Sequence, residues 1–180
     1  ALPVRVDVMH GAVARDLRSI TTEALIGLLS GNLSDANRVN ARHFAGQHGI
    51  AIVEARCGEH PDYHASIVVQ ARHGNETTVV EGTLLERKHP RLIRVGSYEI
   101  EAVLEGNLLL TRHRDQPGMI AAISSLLAAE KINISRMQLG IVSGSDLAVA
   151  VIGISRPLQP GLMDAIARIP AVTRVTQVSL

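Results

Sequence analysis

Val4, Val6 and Val8 alternate with Arg5 and Asp7, the two-residue period of a strand with one buried face. The period then lengthens. Val13, Leu17, Ile20, Ala24 and Leu28 recur at steps of three and four, which predicts a helix carrying one apolar stripe. Gly31-Asn32, residues that tolerate a left-handed cap, end it. A shorter helix between Val39 and His48 stops at Gly49 for the same reason. From Ile50 to Leu104 the texture is β. Ala65, Ile67, Val69 and Ala71 alternate with Ser66, Gln70 and Arg72, and His73-Gly74-Asn75 turns the chain into 77–85. A last hairpin runs through Ile93 and Val95, turns at Gly96-Ser97, and returns through Tyr98, Ile100 and Ala102. Gly-Ser between alternating runs suits a two-residue type II′ turn.

Glu105-Gly106 is the best boundary. Beyond it the pattern predicts strand 107–113, helix 117–130, strands 132–142 and 145–154, helix 160–168 and strand 172–179. That order, β-α-β-β-α-β, is the split βαβ or ferredoxin-like arrangement. Asp115 can cap the first of these helices, Pro117 suits its first turn, and Met119, Ile123, Leu126 and Leu127 form its buried stripe. Pro160 opens the second, with Leu162, Ile166 and Ile169 facing inward. The expected class is α+β in two small domains. Residues 1–105 form an antiparallel sheet with flanking helices, and residues 106–180 form the βαββαβ unit.

Composition narrows what such domains do. Hydrophobic residues make up 46% of the 180, yet there is no Trp, one Phe and two Tyr, so the core is aliphatic. Lys and Arg (18) nearly cancel Asp and Glu (17). A nucleic-acid binder needs a basic surplus and, for single strands, stacking aromatics; both are missing. No apolar run reaches membrane-spanning length. The one cysteine, Cys57, leaves no internal disulfide and fits a reducing cytoplasm. The opening Ala-Leu-Pro-Val-Arg has neither an initiating Met nor a signal-peptide pattern, as a processed product or a fragment would.

Enzyme chemistry is poorly supported. There is no G-x-G-x-x-G to seat a dinucleotide, and no P-loop, nucleophile elbow or H-E-x-x-H. No residue is therefore expected to be catalytic. Cys57-x2-His60-x3-His64, with Glu59 and Asp62 beside it, has zinc-like spacing but no second ligand pair, so a turn at Pro61-Asp62 is the simpler reading. Arg87, Lys88, His89, Arg91 and Arg94 gather within eight residues. Arg91 and Arg94 are candidate anion-binding residues, although their opposite parity keeps them out of one pocket unless the strand bulges.

The most informative stretch is Arg112-His113-Arg114-Asp115-Gln116-Pro117-Gly118-Met119, between a buried strand and an amphipathic helix. A first helical turn offers free N–H groups and a positive dipole end to a carboxylate. Gly118 allows close approach to the backbone. Asp115 offers a negative charge to an ammonium, and His113 adds a hydrogen-bonding group at the strand end. Together they match the two poles of a free amino acid. The competing reading makes Asp115 only a helix cap and His113 only a strand end.

Gly106-Asn107-Leu108-Leu109-Leu110, then Asp115-Gln116-Pro117-Gly118, then Ile132-Asn133-Ile134-Ser135-Arg136-Met137-Gln138 resemble the ACT domain of D-3-phosphoglycerate dehydrogenases. Val39-Asn40-Ala41, Gly49-Ile50 and Pro61-Asp62-Tyr63 resemble the extra regulatory, allosteric substrate-binding-like domain of the longer members, which is also similar to one in bacterial L-serine dehydratases. The resemblance covers essentially the whole chain. It implies a regulatory tail sensing L-serine, attached to N-terminal catalytic domains that use NAD and open serine biosynthesis. It also implies self-association: ACT domains pair side by side and bind effector where they meet. His113 and Asp115, with Gly118 and Met119 at the helix start, would hold the effector from one subunit and Asn133 from the other. An Asn amide both donates and accepts, which suits an α-amino acid. Arg91 is the favoured anion contact in the extra domain. Gln116 stands where the pattern has Arg, and Arg42 where Pro is common.

Three rivals compete. One keeps the fold as a stand-alone ACT-type dimerisation module with another effector or none. A dehydratase-like enzyme would need an iron–sulfur cluster, which one cysteine cannot hold. The third is the zinc module.

Overall fold

A computed structural model of the chain describes residues 5–11, 16–30, 35–56, 58, 60–142 and 144–180. Val4, Val13, Gly31-Asn32, Cys57 and Glu59, named above, lie outside these residues. Two compact units, Ala1–His89 and Pro90–Leu180, make up the chain.

The first unit opens with β1 (Arg5–His10), in which Val6, Val8 and His10 are buried. Helix α1 (Leu17–Ser30) is capped by Asp16, whose carboxylate accepts the Ser19 N–H at 3.2 Å and the Ser19 hydroxyl. Those bonds hold the Asp16 carboxyl below the usual carboxylate range. The buried face of α1 is Thr21, Leu25 and Leu29, flanked by the half-buried Leu17, Ile20, Ala24 and Leu28 of the expected stripe. Thr21 can sit at the centre because its hydroxyl donates back to the Leu17 carbonyl at 2.9 Å. Helix α2 (Ala41–Gln47) starts after an Asn37–Asn40 turn and ends at Gly49, φ +67°. Val39, expected within it, precedes it and is 94% exposed.

Strand β2 (Ala51–Arg56) lies parallel to β1, because the chain returns to the sheet through both helices. Strands β3 (Ser66–His73) and β4 (Glu76–Leu85) add antiparallel, in the order β2-β1-β3-β4. Val6, Val8, Leu25, Leu29, Ala41 and Ala45 form the core between sheet and helices.

In the second unit, β5 (His89–Val95) and β6 (Tyr98–Val103) form a hairpin around Gly96, φ +62°. Ser97 is not left-handed, in keeping with the type II′ turn. Strand β6 packs on strand Ile134–Ile141 of the sheet that follows. Gly140 permits that approach: a Cβ there would meet the Glu99 carbonyl oxygen at 2.6 Å.

The second sheet contains β7 (Asn107–Arg114), β8 (Ile134–Ile141), β9 (Leu147–Ile154) and β10 (Val172–Ser179), antiparallel in the order β10-β7-β9-β8. Helices α3 (Met119–Ala129) and α4 (Pro160–Ala167) supply Ile123, Leu127 and Ile166 to a core shared with Leu109 and Ile152. This is the expected βαββαβ unit. Helix α3 begins at Met119 rather than Pro117, because Gly118 takes the left-handed conformation, φ +90°. Among the described residues, no helix is long and apolar enough to cross a membrane.

Candidate functional site

Strand β7 alternates Leu109, Thr111 and His113 on the side that meets the helices, opposite Ile152, Ala150 and Ala148 of β9. Two of those three core-facing residues are polar. The His113 ring nitrogen Nδ1 donates to the Arg114 carbonyl at 3.0 Å, which leaves Nε2 as a bare acceptor in the neutral ring. His113 Nε2 and Thr111 Oγ1 are both buried, and among the described residues neither has a hydrogen-bond partner. Such groups are uncommon, because each carries a desolvation penalty of about 1–3 kcal/mol.

Beyond His113 the chain turns outward. Asp115 is exposed, and its backbone N–H donates to the Asp146 carbonyl at 2.6 Å. Its carboxylate does not cap α3, whose N-cap is Gly118, three residues on. Both readings in which Asp115 caps the helix are thereby corrected. Arg114 pairs with Asp146 at 3.0 Å, both side chains well exposed.

Gly118 is exposed and has open space around its Cα. The Met119 side chain is in the core, and its N–H donates to Gln116 O at 3.3 Å. The first-turn donors left over, among the described residues, are those of Ile120 and Ala121.

Asn133 sits just before β8, where its N–H donates to Ser155 Oγ at 3.1 Å and its carbonyl accepts the Ser155 N–H at 3.0 Å. Asn133 thus makes both turn bonds through its own backbone. Among the described residues the side-chain amide has no partner, and it is exposed. Within one chain it is far from His113. The register aligns His113 with Ala148 and Ile141, and Asn107 with Ile154 and Ile134. Asn133 thus lies at the opposite end of the sheet, about 20 Å from His113 at strand rise. One copy of the chain does not bring the expected residues together.

What lies between those ends is an open edge. Among the described residues strand β8 has a neighbour on one side only, and its Leu139 and Ile141, on the helix-facing side, are 50% and 52% exposed. An unpaired strand edge with apolar side chains is a template for another strand.

The other sequence candidates are more dispersed. Arg91 and Arg94 are both half-buried. The β5–β6 ladder does bulge, but two steps along β5 oppose three along β6, so the extra residue is on β6 and the two arginines keep opposite parity. Arg91 donates to Pro90 O at 3.1 Å. His60 Nδ1 accepts the Asp62 N–H at 3.1 Å, and its ring lies 4.9 Å from that of Tyr63. No three metal-ligating side chains converge among the described residues. Thr111 went unnoticed in the sequence, although the parity of Leu109, Thr111 and His113 marks it.

Two family models cover most of the chain. The D-3-phosphoglycerate dehydrogenase intervening domain matches residues 3–96, and the ACT domain matches residues 107–171. D-3-phosphoglycerate dehydrogenase of Synechocystis sp. is 31% identical over 98% of this chain and 33% of its own length. D-3-phosphoglycerate dehydrogenase 3, chloroplastic, of Arabidopsis thaliana is 30% identical over 88% of this chain and 29% of its own length. D-3-phosphoglycerate dehydrogenase of Bacillus subtilis is 26% identical over 95% of this chain and 33% of its own length. The chain spans about a third of the length of these relatives.

Proposed function

The chain belongs to the D-3-phosphoglycerate dehydrogenase family, within its C-terminal regulatory region, and from that we propose that it senses a free amino acid, L-serine, between two paired ACT domains. The observation that carries this reading is the pair of buried, unpartnered groups, Thr111 Oγ1 and His113 Nε2, beneath the exposed Asp115–Gly118 loop. Asp115 faces the ammonium, the Ile120 and Ala121 amides face the carboxylate, and His113 Nε2 accepts a hydrogen bond from the hydroxyl.

The pocket is completed by a second copy. If two β8 edges pair antiparallel about a two-fold axis, every residue at one end of β8 meets the other end of its counterpart. Asn133 of a second copy then stands beside Ile141, level with His113. Leu139 and Ile141 are covered in the same step. Effector bound across that seam favours the paired state, and any free energy that differs between two arrangements of the parent is available to inhibit it. The hydride transfer with NAD that the parent performs is assigned to N-terminal catalytic domains. No residue of this chain is given a part in holding NAD, since it lacks a dinucleotide-binding glycine motif.

Isothermal titration with L-serine tests this. One site per chain is expected, and Asp115→Ala should weaken it at least tenfold, about 1.4 kcal/mol. D-serine should bind less well, because inverting the α-carbon misplaces one pole. Absence of binding at millimolar L-serine by a folded protein overturns the proposal.

A further inference from the structure

Thr111 and His113 stand two residues apart on the helix-facing side of β7, so their Cα atoms are about 7 Å apart at strand rise. Thr111 is wholly buried and His113 is 2% exposed. The strands on either side bring only hydrocarbon. Ala150 and Val175 lie opposite Thr111, and Ala148 and Val172 lie opposite His113. A valine has nearly the shape of Thr111 and would bury no hydroxyl. Among the described residues the hydroxyl at 111 therefore serves no contact of the fold.

The direction of each bond on offer is fixed. Because the His113 ring donates from Nδ1 to the Arg114 carbonyl at 3.0 Å, its Nε2 accepts and does not donate. A group that gives its proton to that hydrogen bond still has lone pairs, and the Thr111 hydroxyl is free to donate to them. Two hydrogen bonds of about 2.8 Å to one oxygen fit between such neighbours. The group so defined is an aliphatic hydroxyl. A methyl has neither function, a carboxylate has no proton, an ammonium has no lone pair, and an amide splits the two functions between two atoms.

We propose that Thr111 sets the side-chain specificity of the effector site, donating to a ligand hydroxyl that in turn donates to His113 Nε2. This rests on the amino-acid-sensing reading above and adds a residue that touches neither charged pole. Asp115 and the first-turn amides hold poles common to every α-amino acid, so they do not distinguish serine from alanine. Thr111 and His113 read the one atom that differs. Their bonds run in one direction, from Thr111 through the ligand and His113 to the Arg114 carbonyl, and bonds chained in that way reinforce one another. Serine satisfies both buried groups, whereas alanine leaves them unpaired.

Isothermal titration of the full chain with L-serine and L-alanine, in the parent, Thr111→Val and Thr111→Ser, tests it. The parent should bind L-serine roughly a hundredfold tighter than L-alanine, as two hydrogen bonds allow. Thr111→Val should weaken L-serine about tenfold and leave L-alanine unchanged. Thr111→Ser keeps the hydroxyl and should retain the parent's preference. Cooperative urea unfolding of each variant keeps misfolding apart from lost binding. Equal weakening of both amino acids by Thr111→Val, or unchanged binding of L-serine, overturns the assignment and leaves the sensing reading intact. A folded parent that binds neither amino acid at millimolar concentration overturns both.

Discussion

The two units treat buried polar groups in opposite ways. In the first, Asp7 is buried and bonded to Arg5 at 2.8 Å, with Arg72 at 3.9 Å. The Thr21 hydroxyl reaches Leu17 O, the Thr83 hydroxyl reaches Ala65 O, and His10 Nδ1 donates to Gly11 O at 2.6 Å. In the second, Thr111 Oγ1 and His113 Nε2 are buried without partners. A satisfied buried group stabilises the fold that satisfies it, whereas an orphaned one is destabilising until something arrives. The contrast separates polar residues kept for architecture from polar residues kept for a ligand.

Substitutions can break that contrast, the largest effect first. Asp7→Leu should destabilise the protein by about 1–3 kcal/mol, because a charge-assisted bond is lost and Arg5 keeps only solvent; urea unfolding measures it. Thr111→Val, nearly the same shape, should stabilise by about 1 kcal/mol, because a buried hydroxyl without a partner is removed. If Thr111→Val destabilises instead, that hydroxyl is satisfied in solution and the distinction between the units fails.

The Arg42–Glu54 pair gives a smaller, pH-dependent effect. The folded Glu54 carboxyl titrates below its ordinary value of 4.5, chiefly through the bond from Arg42. Its contribution is therefore complete above pH 4.5 and disappears as pH falls through the lower folded value. Both side chains are partly exposed, at 33% and 28%, so about 1 kcal/mol or less is involved. Denaturant midpoints at pH 7 and pH 3 should differ less in Glu54→Gln than in the parent chain. The exposed Arg114–Asp146 pair of the second unit is the control: Asp146→Asn should change the midpoint too little to measure.

The ferredoxin-like unit was legible almost element by element, since its strands and helices switch cleanly between periods of 2 and 3.6. Errors arose where one residue contradicts its setting. Thr21 hides the inner face of α1 because a hydroxyl looks polar until it bonds to its own helix. Gly118 delays α3 by two residues through a left-handed turn that Pro117 alone does not announce. Of the expected effector contacts, Asp115 and Asn133 are both exposed, at opposite ends of the sheet. Met119 shares the motif of Asp115, but its side chain points into the core, a direction that motif spacing ignores.

The central claim is that one effector site takes His113 and Asp115 from one copy and Asn133 from another. Mixing separately prepared Asp115→Ala and Asn133→Ala chains under conditions of subunit exchange tests it directly. Each variant alone should bind L-serine poorly, and the mixture should recover about one site in four at parental affinity, since random pairing makes half the dimers mixed and each mixed dimer has one intact site. No recovery in a mixture whose subunits have demonstrably exchanged would contradict the account.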